Sequence, residues 1–133
     1  MHTIVQAMLR MVPSLEGAYT ALVHEWQPDS PPLLSALSDL GQELARDQSV
    51  SVEVLRDIMD QAEGLLVYGD ECEKTAVSTG FLEALISSAE AESPTRAGRR
   101  YLDLMGPESR RYVTEWSRRL GIRTYDDYCT YDP

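Results

Sequence analysis

Apolar residues along this chain recur at spacings of three and four, and β-branched residues never alternate with polar ones over the length of a strand. The pattern predicts an all-α fold. Residues 2 to 11 read as a short first helix with Ile4, Val5, Met8 and Leu9 on one stripe, stopped by Pro13. Ser14 has N-cap chemistry for a second helix carrying Leu15, Ala18, Tyr19, Leu22, Val23 and Trp26, and residues 27 to 32 form a loop by composition. A third helix runs from Pro31 or Pro32 to Asp47 on the stripe Leu33, Leu34, Leu37, Leu40, Gly41, Leu44. The fourth starts near Ser51, turns Val54, Leu55, Ile58, Met59, Ala62, Leu65 and Leu66 inward, and closes at Gly69, where a left-handed cap is commonest.

Asp70 with Glu73 three residues on has capping-box spacing and opens a fifth helix that runs to about Glu92. Its apolar positions are Val77, Phe81, Leu82, Leu85, Ile86 and Ala89, and Ser93-Pro94-Thr95 breaks it. A sixth helix covers about 95 to 105, Gly106-Pro107 stops it, and a seventh from Pro107 holds Tyr112, Val113, Trp116 and Leu120. Gly64 and Gly80, inside helical patterns, read as places where helices approach closely. Loops this short predict six or seven helices in antiparallel pairs, as an orthogonal bundle or a short HEAT-like stack. The expected core is Leu37, Leu40, Leu55, Ile58, Leu65, Phe81, Leu85 and Trp116. At 133 residues this is one domain: a helical part over 1–121 and a Tyr/Asp-rich segment over 122–133.

Charge narrows the function classes. Against 12 Lys and Arg stand 22 Asp and Glu, a formal charge of −10, which repels phosphate backbones and argues against nucleic acid as a partner. The imbalance lies in residues 1 to 93, which hold four basic and sixteen acidic groups; residues 94 to 133 hold eight arginines and six acids. Either the arginines of the last helices offset acidic helices beside them, or the acidic region faces a cationic partner. Two cysteines, Cys72 and Cys129, do not make a disulfide framework, which points to a reducing compartment. Residues 1 to 10 lack a basic region ahead of an apolar run, and apolar runs stop at about four residues against the roughly twenty of a membrane span, so a cytoplasmic, membrane-free protein is expected.

Candidate chemistry is sparse. His2 lies in what reads as a fraying terminus, His24 neighbours Glu25, and no His or Cys has zinc or di-iron spacing, so no metal and no cofactor is expected. Cys72 has no imidazole placed by spacing to activate it. Carboxylates sit on stripes that read as solvated rather than in an apolar cleft, so no catalytic residue is assigned. What remains is surface. Glu53, Asp57 and Asp60 project from one side of the fourth helix, Asp39 and Glu43 lie four apart on the third, and Asp70, Glu71 and Glu73 cluster at the start of the fifth. Tyr125 and Tyr128 belong to a terminal segment in which three tyrosines recur every third residue among three aspartates; it packs on the bundle or edges a binding surface.

The run Ala76-Val77-Ser78-Thr79-Gly80-Phe81-Leu82-Glu83-Ala84-Leu85, with Leu104-Met105-Gly106-Pro107-Glu108-Ser109 and Trp116, resembles a family of small, largely uncharacterised all-helical bacterial proteins. Its marks are a Gly-Phe-Leu-Glu-x-Leu helix and a Leu-Gly-Pro-x-Ser helix start, and the likeness covers about Val12 to Leu120. The resemblance implies an immunity protein of a bacterial toxin system. Joined to the charge, it gives the expectation of a non-enzymatic, acidic, monomeric or weakly dimeric domain that covers the active site of a basic toxin. A structural or regulatory interaction module without a toxin is the other expectation.

Overall fold

The computed structural model describes residues 1–92 and 97–120, and among these it is helical with no strand. Helices α1 (Thr3–Met11), α2 (Glu16–Trp26), α3 (Leu33–Arg46) and α4 (Val52–Tyr68) match the periodicity. Next come α5 (Glu71–Thr75), a π-helical segment (Ala76–Leu82) and α6 (Glu83–Glu92), then α7 (Ala97–Leu102) and α8 (Pro107–Leu120). Residues Thr75, Ala76 and Glu83 at the junctions are all right-handed helical, so α5, the π segment and α6 form one unbroken helix, as the fifth helix was expected to be. With that helix counted once, the described residues hold seven.

The π segment is the centre of the core. Six of its seven residues, Ala76, Val77, Ser78, Gly80, Phe81 and Leu82, are buried. An α-helix presents an apolar stripe to one side, whereas burial on nearly every side requires neighbours all round, and α3, α4 and α8 supply them. In the wide turn the Glu83 amide reaches back five residues to the Ser78 carbonyl. The Ser78 hydroxyl donates to the Lys74 carbonyl at 2.8 Å, which satisfies a buried polar atom within the helix.

Packing here is backbone on backbone. A Cβ at Gly41 of α3 would lie 2.8 Å from the Phe81 carbonyl oxygen, and one at Gly80 would lie 2.9 Å from that of Leu34. Gly80 therefore does what its position suggested. Gly64 does not: nothing lies within 4 Å of its Cβ position. Around this pair, α2 packs on α3, α1 on α4, α7 on α6, and α8 on α4 and the π segment.

Helix α8 is positioned by a side chain far away in sequence. Its N-cap place is held by Gly106, which has no side chain to offer, and Glu63 of α4 takes over that role. One Glu63 oxygen accepts from the Glu108 amide at 2.9 Å; the other accepts from the Ser109 amide at 2.9 Å and the Ser109 hydroxyl at 2.8 Å. A Cβ at Gly106 would lie 2.5 Å from Glu63 Cγ and Cδ, so glycine makes room for the cap. Burial pushes the Glu63 carboxyl up, yet the three hydrogen bonds from Glu108 and Ser109 together hold it below its ordinary value.

Other ends are tied similarly. His2 caps α1 through Nδ1, accepting from the Ile4 amide at 3.1 Å, which leaves Nε2–H to donate to Glu73 Oε2 at 2.7 Å; the expected fraying terminus is anchored. Ser51 caps α4, and the capping box of Asp70 and Glu73 is present as expected. Ser14 caps nothing. A 3₁₀ turn (Pro13–Leu15) leads into α2, and the Ser14 hydroxyl donates to Asp47 Oδ2 at 2.6 Å. Gly69 ends α4 in an extended conformation, φ −73° and ψ 169°, not a left-handed one. Arg100 donates to the Val50 carbonyl at 2.6 Å, and Arg110 donates to the Leu102 and Met105 carbonyls. These two arginines hold backbone ends.

Seven of the eight expected core residues are buried; Leu65 is half-buried against the core. Trp26 and Leu34, expected on inward stripes, are each 39% exposed. The sixth helix is shorter than expected, Ala97–Leu102, and the proposed break at residues 93–95 lies outside the described residues.

Two stability predictions follow from these contacts. Because a Cβ at 41 or 80 meets backbone, G41A and G80A should each lower unfolding free energy by about 1–3 kcal/mol, despite alanine's better helix propensity. G64A, with open space around it, should raise it by about 0.5–1 kcal/mol; urea denaturation of the three variants checks the contrast. For Glu63, a folded-state pKa below the unfolded value means stability that is present above the ordinary carboxyl range and lost as pH falls through the folded value. E63Q should cost about 1 kcal/mol at pH 7. The difference from wild type should shrink in acid, as thermal melts from pH 7 downward will show.

Candidate functional site

The ten sequence candidates separate into groups with different roles. Glu53, Asp57 and Asp60 are exposed on the outer side of α4, and among the described residues none is paired with a cation. Asp57 accepts only a 3.4 Å hydrogen bond from Gln61. Arg56 shares the flank of this stripe, three residues after Glu53 and four before Asp60.

Asp39 and Glu43 are half-buried on α3, and Glu43 pairs with Arg46 at 2.9 Å. The Asp39 carboxyl is pushed up from its ordinary value, first by burial and then by the like charges of Glu25 and Glu43. Glu25, on α2, was not among the candidates. Its proximity arises from the packing of α2 on α3 and has no signature in sequence spacing.

The third group is structural. Asp70 accepts from the Glu73 amide at 2.8 Å, and Glu73 returns a bond from the Asp70 amide at 2.9 Å while also binding His2. The His2 hydrogen bond leads the influences that lower the Glu73 carboxyl. Glu71 is exposed at the rim of a cleft. Tyr125 and Tyr128 lie outside the described residues.

That cleft, of about 410 Å³, opens between α4, α5, the π segment and α8. Half of its polar side chains, Ser78, Glu108, Arg111 and Tyr112, are committed to the fold. The Tyr112 hydroxyl donates to Glu83 Oε2 at 2.5 Å, Ser78 donates to a backbone carbonyl, and Arg111 pairs with Glu108. Burial, followed by the Glu83 carboxylate, raises the Tyr112 phenol above its ordinary value. The Glu83–Tyr112 bond joins the start of α6 to α8. A larger groove, of about 770 Å³, lies between α1, α2, the 27–32 loop and the start of α3, lined by apolar groups such as Val5, Tyr19, Val23 and Leu33. Among the described residues no three His, Cys, Asp or Glu side chains are placed to hold a metal ion, and no helix is long and apolar enough to cross a membrane.

Among the described residues this is an all-helical domain in which half-buried polar side chains such as Glu63 and His2 cap and join helices, while the carboxylates on the outer side of α4 face outward. Over residues 5–121 the chain matches the model of a family described as a domain of unknown function (DUF7674), and it belongs to that family. Neither a curated protein nor a solved structure matches it.

The crowding at Asp39 has a pH signature. A carboxyl raised in the folded state penalises folding once ionised, so the penalty is present above its folded pKa and absent below the ordinary value. D39N should therefore stabilise the domain at pH 7 by a few tenths of a kcal/mol, the scale of like-charge pairs on a helix. Below about pH 3.5 the gain should vanish, because the unperturbed aspartate is then mostly protonated; melting temperatures of the two proteins at both pH values provide the check.

Proposed function

We propose that this domain is a non-enzymatic binding protein that holds a cationic protein partner on its acidic surface, acting as an immunity protein that covers the active site of a basic toxin. The observation that carries this reading is the outer side of α4, where Glu53, Asp57 and Asp60 are exposed and unpaired among the described residues. An exposed ion pair inside the domain would contribute little stability, so unpaired carboxylates cost the fold little and remain available to raise an association rate. Crowding at Glu25, Asp39 and Glu43 adds to it, since a cation brought near would relieve repulsion that the free domain carries. The resemblance noted for the Gly-Phe-Leu-Glu-x-Leu and Gly-Pro-x-Ser segments supplies the toxin part of the proposal.

Affinity capture from the native cell with identification by mass spectrometry should yield a basic protein whose toxic activity the domain suppresses. With that protein, D57K/D60K should leave the melting temperature nearly unchanged, because both side chains are solvated and the variant lowers the net negative charge. Stopped-flow association should slow by roughly tenfold at low salt, with a shallower salt dependence than wild type. Equal rates at both ionic strengths would overturn the assignment of this face. Capture of a basic protein that is not a toxin would leave an interaction module in place of an immunity protein.

A further inference from the structure

We infer that the outer ridge of α4 from Glu53 to Tyr68 is the docking surface itself, made for a cationic protein that comes closest at Gly64. The inference rests on reading the chain as an acidic binding domain and assigns that role to one helix face. Glu53, Asp57, Asp60, Gly64 and Val67 follow at spacings of four, three, four and three, and Tyr68 stands four after Gly64. At 3.6 residues per turn these positions share a stripe opposite the buried Leu55, Ile58, Met59 and Ala62. The ridge is thus acidic over its first half, bare at Gly64 and apolar-aromatic at its end.

Each half carries a feature that the fold does not use. Glycine is the poorest helix residue after proline, and at three other positions a neighbour demands the space: Gly41 against Phe81, Gly80 against Leu34, Gly106 against Glu63. Gly64, in the body of α4, meets nothing within 4 Å. Gly17 is also open, but it sits in the first turn of α2, near the end of a helix. Beyond Gly64 the side chains of Val67 and Tyr68 are 42% and 89% exposed. Tyrosine in this setting offers a large amphipathic contact of low entropy cost, the composition of interface anchors.

Charge selects the occupant. Three carboxylates, with Arg56 on the flank, suit lysine or arginine on a partner, whereas the same face of a second copy would set Asp57 and Asp60 against like charges. The partner surface therefore pairs basic side chains opposite Glu53–Asp60 with an apolar recess for Val67 and Tyr68. Gly64 lets its backbone or a long side-chain stem lie flat on α4.

A photo-crosslinking phenylalanine analogue at position 68, and separately at the exposed positions Arg10 and Thr20, tests this in the native cell. Position 68 should crosslink one basic protein that the other two positions do not. With that protein purified, Gly64→Leu should melt at or above the wild-type temperature and Tyr68→Ala close to it, yet each should weaken binding about tenfold or more in calorimetry. A basic protein captured from positions 10 or 20, with unchanged affinity for Gly64→Leu, would overturn the ridge and leave the binding reading intact. Crosslinking to a second copy of the chain would overturn the ridge as a site for a cationic partner. Capture of no basic protein from any position would overturn both.

Discussion

Everything in this domain is arranged to cover Ala76–Leu82. Six buried residues out of seven leave that segment only Thr79 toward solvent, so it depends on α3, α4 and α8 pressed against it. The contacts with α3 are as close as polypeptide allows, because Gly41 and Gly80 remove the two Cβ atoms that would hold the backbones apart. A π turn fits that demand: it widens the helix where neighbours converge, and Ser78 returns its hydroxyl to the chain's own carbonyl. The residues of the Gly-Phe-Leu-Glu-x-Leu run divide the labour accordingly. Gly80 meets backbone, Phe81, Leu82 and Leu85 fill the core, and Glu83 accepts from Tyr112.

Once the core is set, helix ends must find partners, and the domain meets this need with polar side chains from elsewhere. Glu63 caps α8 across the bundle, His2 joins the start of α1 to Glu73, Arg100 and Arg110 take up free carbonyls, and Asp47 gathers Ser14 and Ser49. Buried amides and carbonyls are costly to leave unpaired, so each link converts a loose terminus into a fixed angle between helices. These groups are unavailable for other chemistry. The outward carboxylates of α4 are in the opposite position: apart from the long Gln61 contact to Asp57 the fold does not engage them, and at Asp39 it tolerates burial and repulsion. That division between polar groups spent on architecture and charge left on the surface is what favours a binding role.

Stability and function would then pull apart at defined sites. Gly64 and Asp39 are both suboptimal for the isolated domain, the first by helix propensity and the second by burial together with the like charges beside it. Proteins retain such residues where a partner, absent from the free state, supplies the compensating contact.

Periodicity alone determined the helices, because each amphipathic stripe writes its 3.6-residue repeat locally and caps such as Ser51 and the Asp70–Glu73 box act within one turn. Most of the core and the outward placement of Glu53, Asp57 and Asp60 were legible for the same reason. What the repeat cannot carry is any contact between residues distant in the chain. The pairing of Glu63 with an N-cap glycine at 106, the meeting of Glu25 with Asp39 and the redirection of Ser14 to Asp47 belong to this class. So does the π turn. A wide turn adds one residue to a helix that is buried on most of its sides, and only the packing of α3, α4 and α8 decides where that residue goes.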